Sequence, residues 1–121
     1  MITGIVNDAL EATVRVVVQN DERAHECIAV IDTGFSGFLT LPTPLIRALG
    51  LSWLCLQDGT LADGTVHLFD VYSGVIHWDG HARSIEIEEV DAEPLIGMAL
   101  LRDFCITADV IEGGAVSIRR L

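Results

Sequence analysis

Asp32-Thr33-Gly34 directly follows the apolar run Cys27-Ile28-Ala29-Val30-Ile31, which sets a carboxyl group at the end of a strand built for a core. An isolated ionised carboxylate is costly to bury and is normally paired or neutralised. With a suitable partner such a group could act as acid or base. Thr33 is β-branched, so it keeps strand geometry, and its hydroxyl can make one specific hydrogen bond. Gly34 allows a sharp turn and close approach of another backbone. Taken alone, the triplet favours an ordinary Asp-x-Gly turn. Its meaning rests on the elements that would hold it.

Those elements are short and mostly β. Val14, Val16 and Val18 alternate onto one face of a strand from Thr13 to Gln19; Asn20 to Arg23 reads as a turn, and His25 to Ile31 as the returning strand that delivers Asp32. Phe38 to Leu41 is again strand-like. Thr43-Pro44 predicts a helix start with Thr43 as N-cap, Leu45, Ile46 and Leu49 its apolar face and Gly50 its stop. Trp53 to Leu61 and Thr65 to Tyr72 flank Ala62-Asp63-Gly64, a strong hairpin signal. A second turn falls at Trp78 to His81, after which Ile85 and Ile87 alternate with Glu86 and Glu88. Leu95-Ile96-Gly97 is another apolar pair closed by glycine, followed by a turn or two of helix from Met98 to Arg102 and a last hairpin around Glu112-Gly113-Gly114. The pattern predicts one mainly β domain over residues 1–121, a compact barrel or sandwich with two small helices.

Composition narrows the functions open to it. With 121 residues, 50% hydrophobic and 21% charged, the chain can bury one core. A net charge of −11 with seven Lys plus Arg argues against nucleic acid as a partner. No apolar run is long enough to span a bilayer and no basic-then-apolar leader is visible, so a cytoplasmic protein without a membrane partner is expected. Cys27, Cys55 and Cys105 are expected as reduced, buried small hydrophobes. His77 and His81 enclose the turn signal Asp79-Gly80, and no metal site is expected. The acidic stretch from Glu88 to Glu93 reads as a solvated strand end and loop, without a particular ligand set.

The order of these elements resembles the single-lobe aspartic proteases of the retroviral type (retropepsin-like, clan AA). In particular it is similar to small prokaryotic members whose motif reads Asp-Thr-Gly-Phe. The likeness is carried by Ile31-Asp32-Thr33-Gly34-Phe35-Ser36-Gly37-Phe38-Leu39-Thr40-Leu41-Pro42, and by Leu95-Ile96-Gly97-Met98-Ala99-Leu100-Leu101 through Ile106-Thr107-Ala108-Asp109. It covers roughly residues 10 to 121. It implies a closed acid-protease β-barrel acting as a homodimer, because one chain supplies one such Asp. Asp63 and Asp79 sit in turn signals and Asp103 follows Arg102 in the short helix, so none has a matching setting. The resemblance further implies an Asp32 dyad on a twofold axis that activates water against an extended peptide or protein substrate, with no cofactor. Thr33, Gly34, Phe35, Ser36 and Gly97 would support the active-site loop, with Gly97 packed behind it. Ala62, Asp63, Gly64 and Thr65 would form the tip of a flap over the substrate.

The sequence also departs from the pattern. The residue after the motif is usually Ala or Ser and here is Phe35, a residue expected as core filler. The Asp and Arg that pair behind the loop in retroviral enzymes are replaced by Ser36 and Met98. Two functions therefore stand side by side: an aspartic endopeptidase, and a peptide-binding or dimerisation module that keeps the fold without useful proteolysis. An unrelated small β-barrel with a coincidental turn motif is the third.

Overall fold

The computed structural model describes residues 1–61 and 63–121. In chain order its elements are β1 (Ile2–Val6), β2 (Ala12–Asn20), β3 (Arg23–Ile31), β4 (Leu39–Leu41), α1 (Thr43–Leu49), β5 (Ser52–Thr60), β6 (Val66–Trp78), β7 (His81–Glu89), β8 (Leu95–Ile96), α2 (Met98–Leu101), β9 (Phe104–Ala108) and β10 (Ala115–Arg120).

The strands follow the order β5-β6-β7-β4-β8-β3-β2-β1-β10-β9, and a further pairing of β2 with β6 joins the sheet to itself. That pairing, Val17 with His77 through Gln19 with Val75, closes a barrel of six strands: β2, β6, β7, β4, β8 and β3. Closure removes the edges those strands would otherwise expose. The β5–β6 hairpin extends from one side of the barrel, and the β1–β10–β9 sheet continues from β2 on the other.

Alternation decides what faces the barrel interior. Val14, Val16 and Val18 are buried along β2, Ile85 and Ile87 along β7, and they meet Leu39, Leu41, Ile76, Ile96 and Ile118 in one core. The helix α1 covers this core with Ile46 and Leu49. Gly50 ends it at φ 62°, where a left-handed residue is needed; its N–H donates to Arg47 O, and Leu51 N–H donates to Ile46 O. Asn20, at the tip of the β2–β3 hairpin, donates from Nδ2 to Leu49 O and Gly50 O at 2.9 Å each, which satisfies carbonyls the helix leaves free. The buried hydroxyls of Thr13 and Thr40 are also partnered: Thr13 donates to Ile5 O and Thr40 accepts from Leu95 N–H.

Several expectations need correction. Pro42, not Thr43, caps α1, because Pro44 sits comfortably within the first helical turn and the helix begins one residue earlier. β1 is a strand that alternation does not announce, since Ile5 faces out and Gly4 packs where a side chain would strike Thr13 O. β6 runs unbroken to Trp78, and Asp79 and Gly80 then turn the chain with positive φ at both positions. Asp103 lies beyond α2, in a turn at φ 70°, not within the helix. Cys27 and Cys105 are half-buried but Cys55 is exposed, because β5 has no layer packed over it.

Burial, then the neighbouring charge of Glu26, pushes the Cys27 thiol up to about 11. At pH 8 iodoacetamide should therefore modify Cys55 rapidly and Cys27 only after denaturation; equal rates in the native protein would contradict this arrangement. In urea melts, Leu39→Ala should lower stability by about 2–5 kcal/mol. Val66→Ala, on the exposed hairpin, should stay within about 0.5 kcal/mol of the parent.

Candidate active site

The Asp32 loop is built around β8. β3 pairs with β8 in parallel, Val30 beside Leu95 and Ile31 beside Ile96, while β4 pairs with the other side of β8 through Leu39 and Ile96. The chain therefore leaves β3 at Asp32, loops out over residues 32–38, and returns on the far side of the same short strand. Asp32 N–H donates to Ile96 O at 2.9 Å, which carries the β3–β8 ladder to the carboxylate-bearing residue itself.

Within the loop, Gly34 N–H donates to Asp32 Oδ1 at 2.9 Å and Phe35 N–H to Asp32 O at 3.1 Å. The first turn of α2 completes the anchor. Gly97 N–H donates to Phe38 O, Met98 N–H to Phe35 O at 2.8 Å, and Ala99 N–H to Gly37 O at 3.1 Å. The amides at the start of a helix have no partners inside it. Here the carbonyls of the Asp32 loop supply them, which is why α2 carries no side-chain cap.

Gly97 is packed behind the loop. A Cβ there would meet Gly37 O, stand 2.6 Å from Phe35 Cδ2 and 2.8 Å from Phe35 O. A Cβ on Gly37 would stand 2.6 Å from Phe35 Cζ. Two glycines thus seat one aromatic ring, and Phe35 is half-buried against them instead of filling the barrel core. Gly34 differs. Its Cβ would meet Asp32 Oδ1 at 3.2 Å, and no other described residue crowds that position. Asp32 is half-buried, while Thr33, Gly34 and Ser36 are exposed. Among the described residues no second carboxylate shares a hydrogen bond with Asp32, and its Oδ2 accepts none.

The hairpin expected as a flap is β5–β6, paired from Ser52 with Ser73 to Thr60 with Val66 and bulged between Trp53 and Cys55. Ala62 lies outside the described residues. Asp63 Oδ1 accepts from Thr65 N–H at 2.9 Å and from Thr65 Oγ1 at 2.6 Å, and Gly64 sits at φ 86°. Those Thr65 bonds, the side-chain one first, hold the Asp63 carboxyl below the usual carboxylate range, a turn-stabilising role that fits an ordinary hairpin tip. Trp53, Leu54, Leu56, Val66 and Leu68 are all exposed on this hairpin. In the single chain these side chains have no cover.

Two residues that alternation alone did not single out also border the loop. Glu88 and Gln57 line, with Ser36 and Gly37, a cavity of about 200 Å³ beside residues 36–38. Burial, and then the charge of Glu86, raises the Glu88 carboxyl. Its place depends on the parallel pairing of Thr40 with Glu88, a contact without a local signal.

A closed six-strand barrel with two short helices and an Asp-Thr-Gly loop straddling a two-residue strand has the retropepsin-like protease fold. The structure is similar to that of the EIAV protease complexed with the inhibitor HBY-793, with a TM-score of 0.59 over 77% of this chain and 86% of that one, at 16% identity. No family model matches the sequence, and no curated protein is similar to it in sequence. No helix among the described residues is long and apolar enough to cross a membrane.

Gly97→Ala should lower stability by about 1–3 kcal/mol, since backbone oxygens cannot yield as a flexible side chain can. Gly34→Ala should cost the isolated chain less than about 1 kcal/mol, as at other positions without close neighbours. Urea melts at low protein concentration compare the two; equal losses would mean that Gly97 has no special packing role.

Proposed function

We propose that the protein is an aspartic endopeptidase of the retropepsin-like type, in which Asp32 of two copies of the chain meets across a twofold axis. The observation that carries this reading is the placement of Asp32: a carboxylate at the end of a barrel strand, on a loop fixed by main-chain hydrogen bonds to Ile96, Met98 and Ala99, in a chain with the fold of the EIAV protease. The Asp-Thr-Gly-Phe motif fits the small prokaryotic type.

One chain supplies one such carboxylate, and the chemistry needs two sharing a proton. Gly34 is compatible with a dimer, because among the described residues a side chain there would meet Asp32 Oδ1 alone, which leaves room for a second backbone to approach. The exposed Thr33 hydroxyl would bond across the axis and hold both loops still. In the dimer the ionised carboxylate would take a proton from a water held between the two Asp32 groups. That water would attack the scissile carbonyl while the protonated carboxyl donates to its oxygen; the proton taken up then passes to the departing amine. The β5–β6 hairpin would close over an extended peptide, its main chain bonding the substrate and its apolar residues excluding water. Ser36, Phe35 and Gly97 act by positioning the loop.

One observation favours a second reading, a peptide-binding or dimerisation module without useful proteolysis. Phe35 stands where a small hydroxyl or methyl residue would sit beside the outer carboxylate oxygen, and Asp32 Oδ2 has no hydrogen-bond donor among the described residues.

Incubation of wild type and Asp32→Asn with a denatured protein or a peptide library, from acidic to neutral pH, separates the two. Cleavage should fall at least about a hundredfold in Asp32→Asn, the lower end of what positioned acid–base groups contribute. Equal silence from both proteins, with a dimer confirmed by sedimentation, would favour the module. A strict monomer at high concentration would count against both readings.

A further inference from the structure

At the end of the β6–β7 hairpin opposite the flap tip, a cavity of about 240 Å³ is lined by Trp78, His81, Arg83, Arg102, Asp103 and Arg120, among others. The chain has no lysine and seven arginines against eighteen carboxylates, yet three of the seven arginines border this one cavity. The concentration of positive charge runs against the sign of the whole molecule, which would draw an anion here and repel it elsewhere.

The arginines are set by separate contacts. Arg120 lies over the Phe104 ring at 4.9 Å, and that ring packs edge-on against Trp78 at 6.0 Å. Arg83 lies over Phe38 at 5.5 Å and donates weakly from Nη1 to Leu100 O at 3.4 Å. Stacking orients a guanidinium while leaving its N–H edge free. Of the nearby acids, Asp79 is already engaged: its Oδ1 accepts from the N-terminal ammonium of Met1 at 3.0 Å, and its Oδ2 stands 3.8 Å from Arg120 Nε. Among the described residues Arg83 and Arg102 have no carboxylate partner within ion-pair distance. The acid left on the cavity wall is Asp103, facing Arg83 and Arg102 without an ion-pair partner and Arg120 shared with Asp79.

Trp78 also lines this cavity, although its indole Nε1–H is itself buried and has no acceptor among the described residues. The ring is therefore a reporter beside whatever the arginines hold.

We infer that this cavity is a binding site for a small oxyanion, phosphate or carboxylate in chemistry, held by the forked N–H donors of Arg83, Arg102 and Arg120 beside the Trp78 indole. Arginine suits that ligand because two parallel N–H bonds match two oxygens of one anion. The site does not include Asp32, touches its loop only where Arg83 lies over Phe38, and stands or falls independently of the protease reading.

The two tryptophans give the test a direct readout. In the ¹H–¹⁵N spectrum of the full chain there are two indole signals, and Trp53→Phe assigns the one from Trp78. Inorganic phosphate and acetate are titrated separately at constant ionic strength maintained with chloride. The Trp78 signal should move saturably with phosphate, acetate or both, and not with chloride alone. The anion that saturates first identifies whether a tetrahedral oxyanion or a planar carboxylate is the better ligand. Arg102→Gln and Arg120→Gln, each verified as folded by the rest of the spectrum, should weaken binding roughly tenfold, as expected for loss of a charged hydrogen bond. A Trp78 signal that stays still with both anions, or drifts equally with chloride, overturns the site. So does binding indifferent to both arginine substitutions.

Discussion

The structure turns on a set of main-chain hydrogen bonds between the loop after β3 and the segment Ile96–Ala99. Asp32 donates to Ile96, Gly97 to Phe38, Met98 to Phe35 and Ala99 to Gly37. Each side solves the other's problem. The loop is irregular and would leave carbonyls unpaired; the short helix α2 begins with amides that have no partners of their own. Joined, they place a carboxylate at a defined point without needing a side chain to hold it. This explains how the loop is supported here although Ser36 and Met98 stand where an ion pair could have been.

The same constraint fixes the glycines. Gly97 and Gly37 are required because the anchoring hydrogen bonds draw two backbones together and the Phe35 ring occupies what space remains. Phe35 is thus part of the support of the loop, and its size is matched by the absence of side chains on both sides. A side chain on either glycine would strike that ring. Gly34 differs: among the described residues a side chain there would meet Asp32 Oδ1 alone, at 3.2 Å.

Around this centre the molecule is uneven in charge and cover. The barrel is closed and its interior filled, whereas the β5–β6 hairpin projects with Trp53, Leu56, Val66 and Leu68 exposed. The carboxylates are spread over the surface, while arginines collect at the far end of β6 and β7. The stacking of Arg120 on Phe104 and the edge contact of Phe104 with Trp78 organise that end.

Sequence by itself determined what is local. Alternation in Val14-Val16-Val18 and Ile85-Ile87, the Asp-Gly turns at residues 63–64 and 79–80, and the Gly50 stop were legible because each depends on neighbours a few residues away. The apolar run before Asp32 likewise marked the strand that carries it. Tertiary structure alone decided the closure of the barrel through β2 and β6, the strand β1, the exposure of Cys55, and the seat of Phe35 between Gly37 and Gly97. Glu88 beside the Asp32 loop and three arginines around Trp78 belong to the same class. The physical reason is distance along the chain. Pairings such as Thr40 with Glu88 or Val18 with Ile76 bring together residues about fifty apart, whose meeting is set by how every intervening strand packs. The chain could announce that Asp32 ends a buried strand; only the folded barrel could show what holds it there.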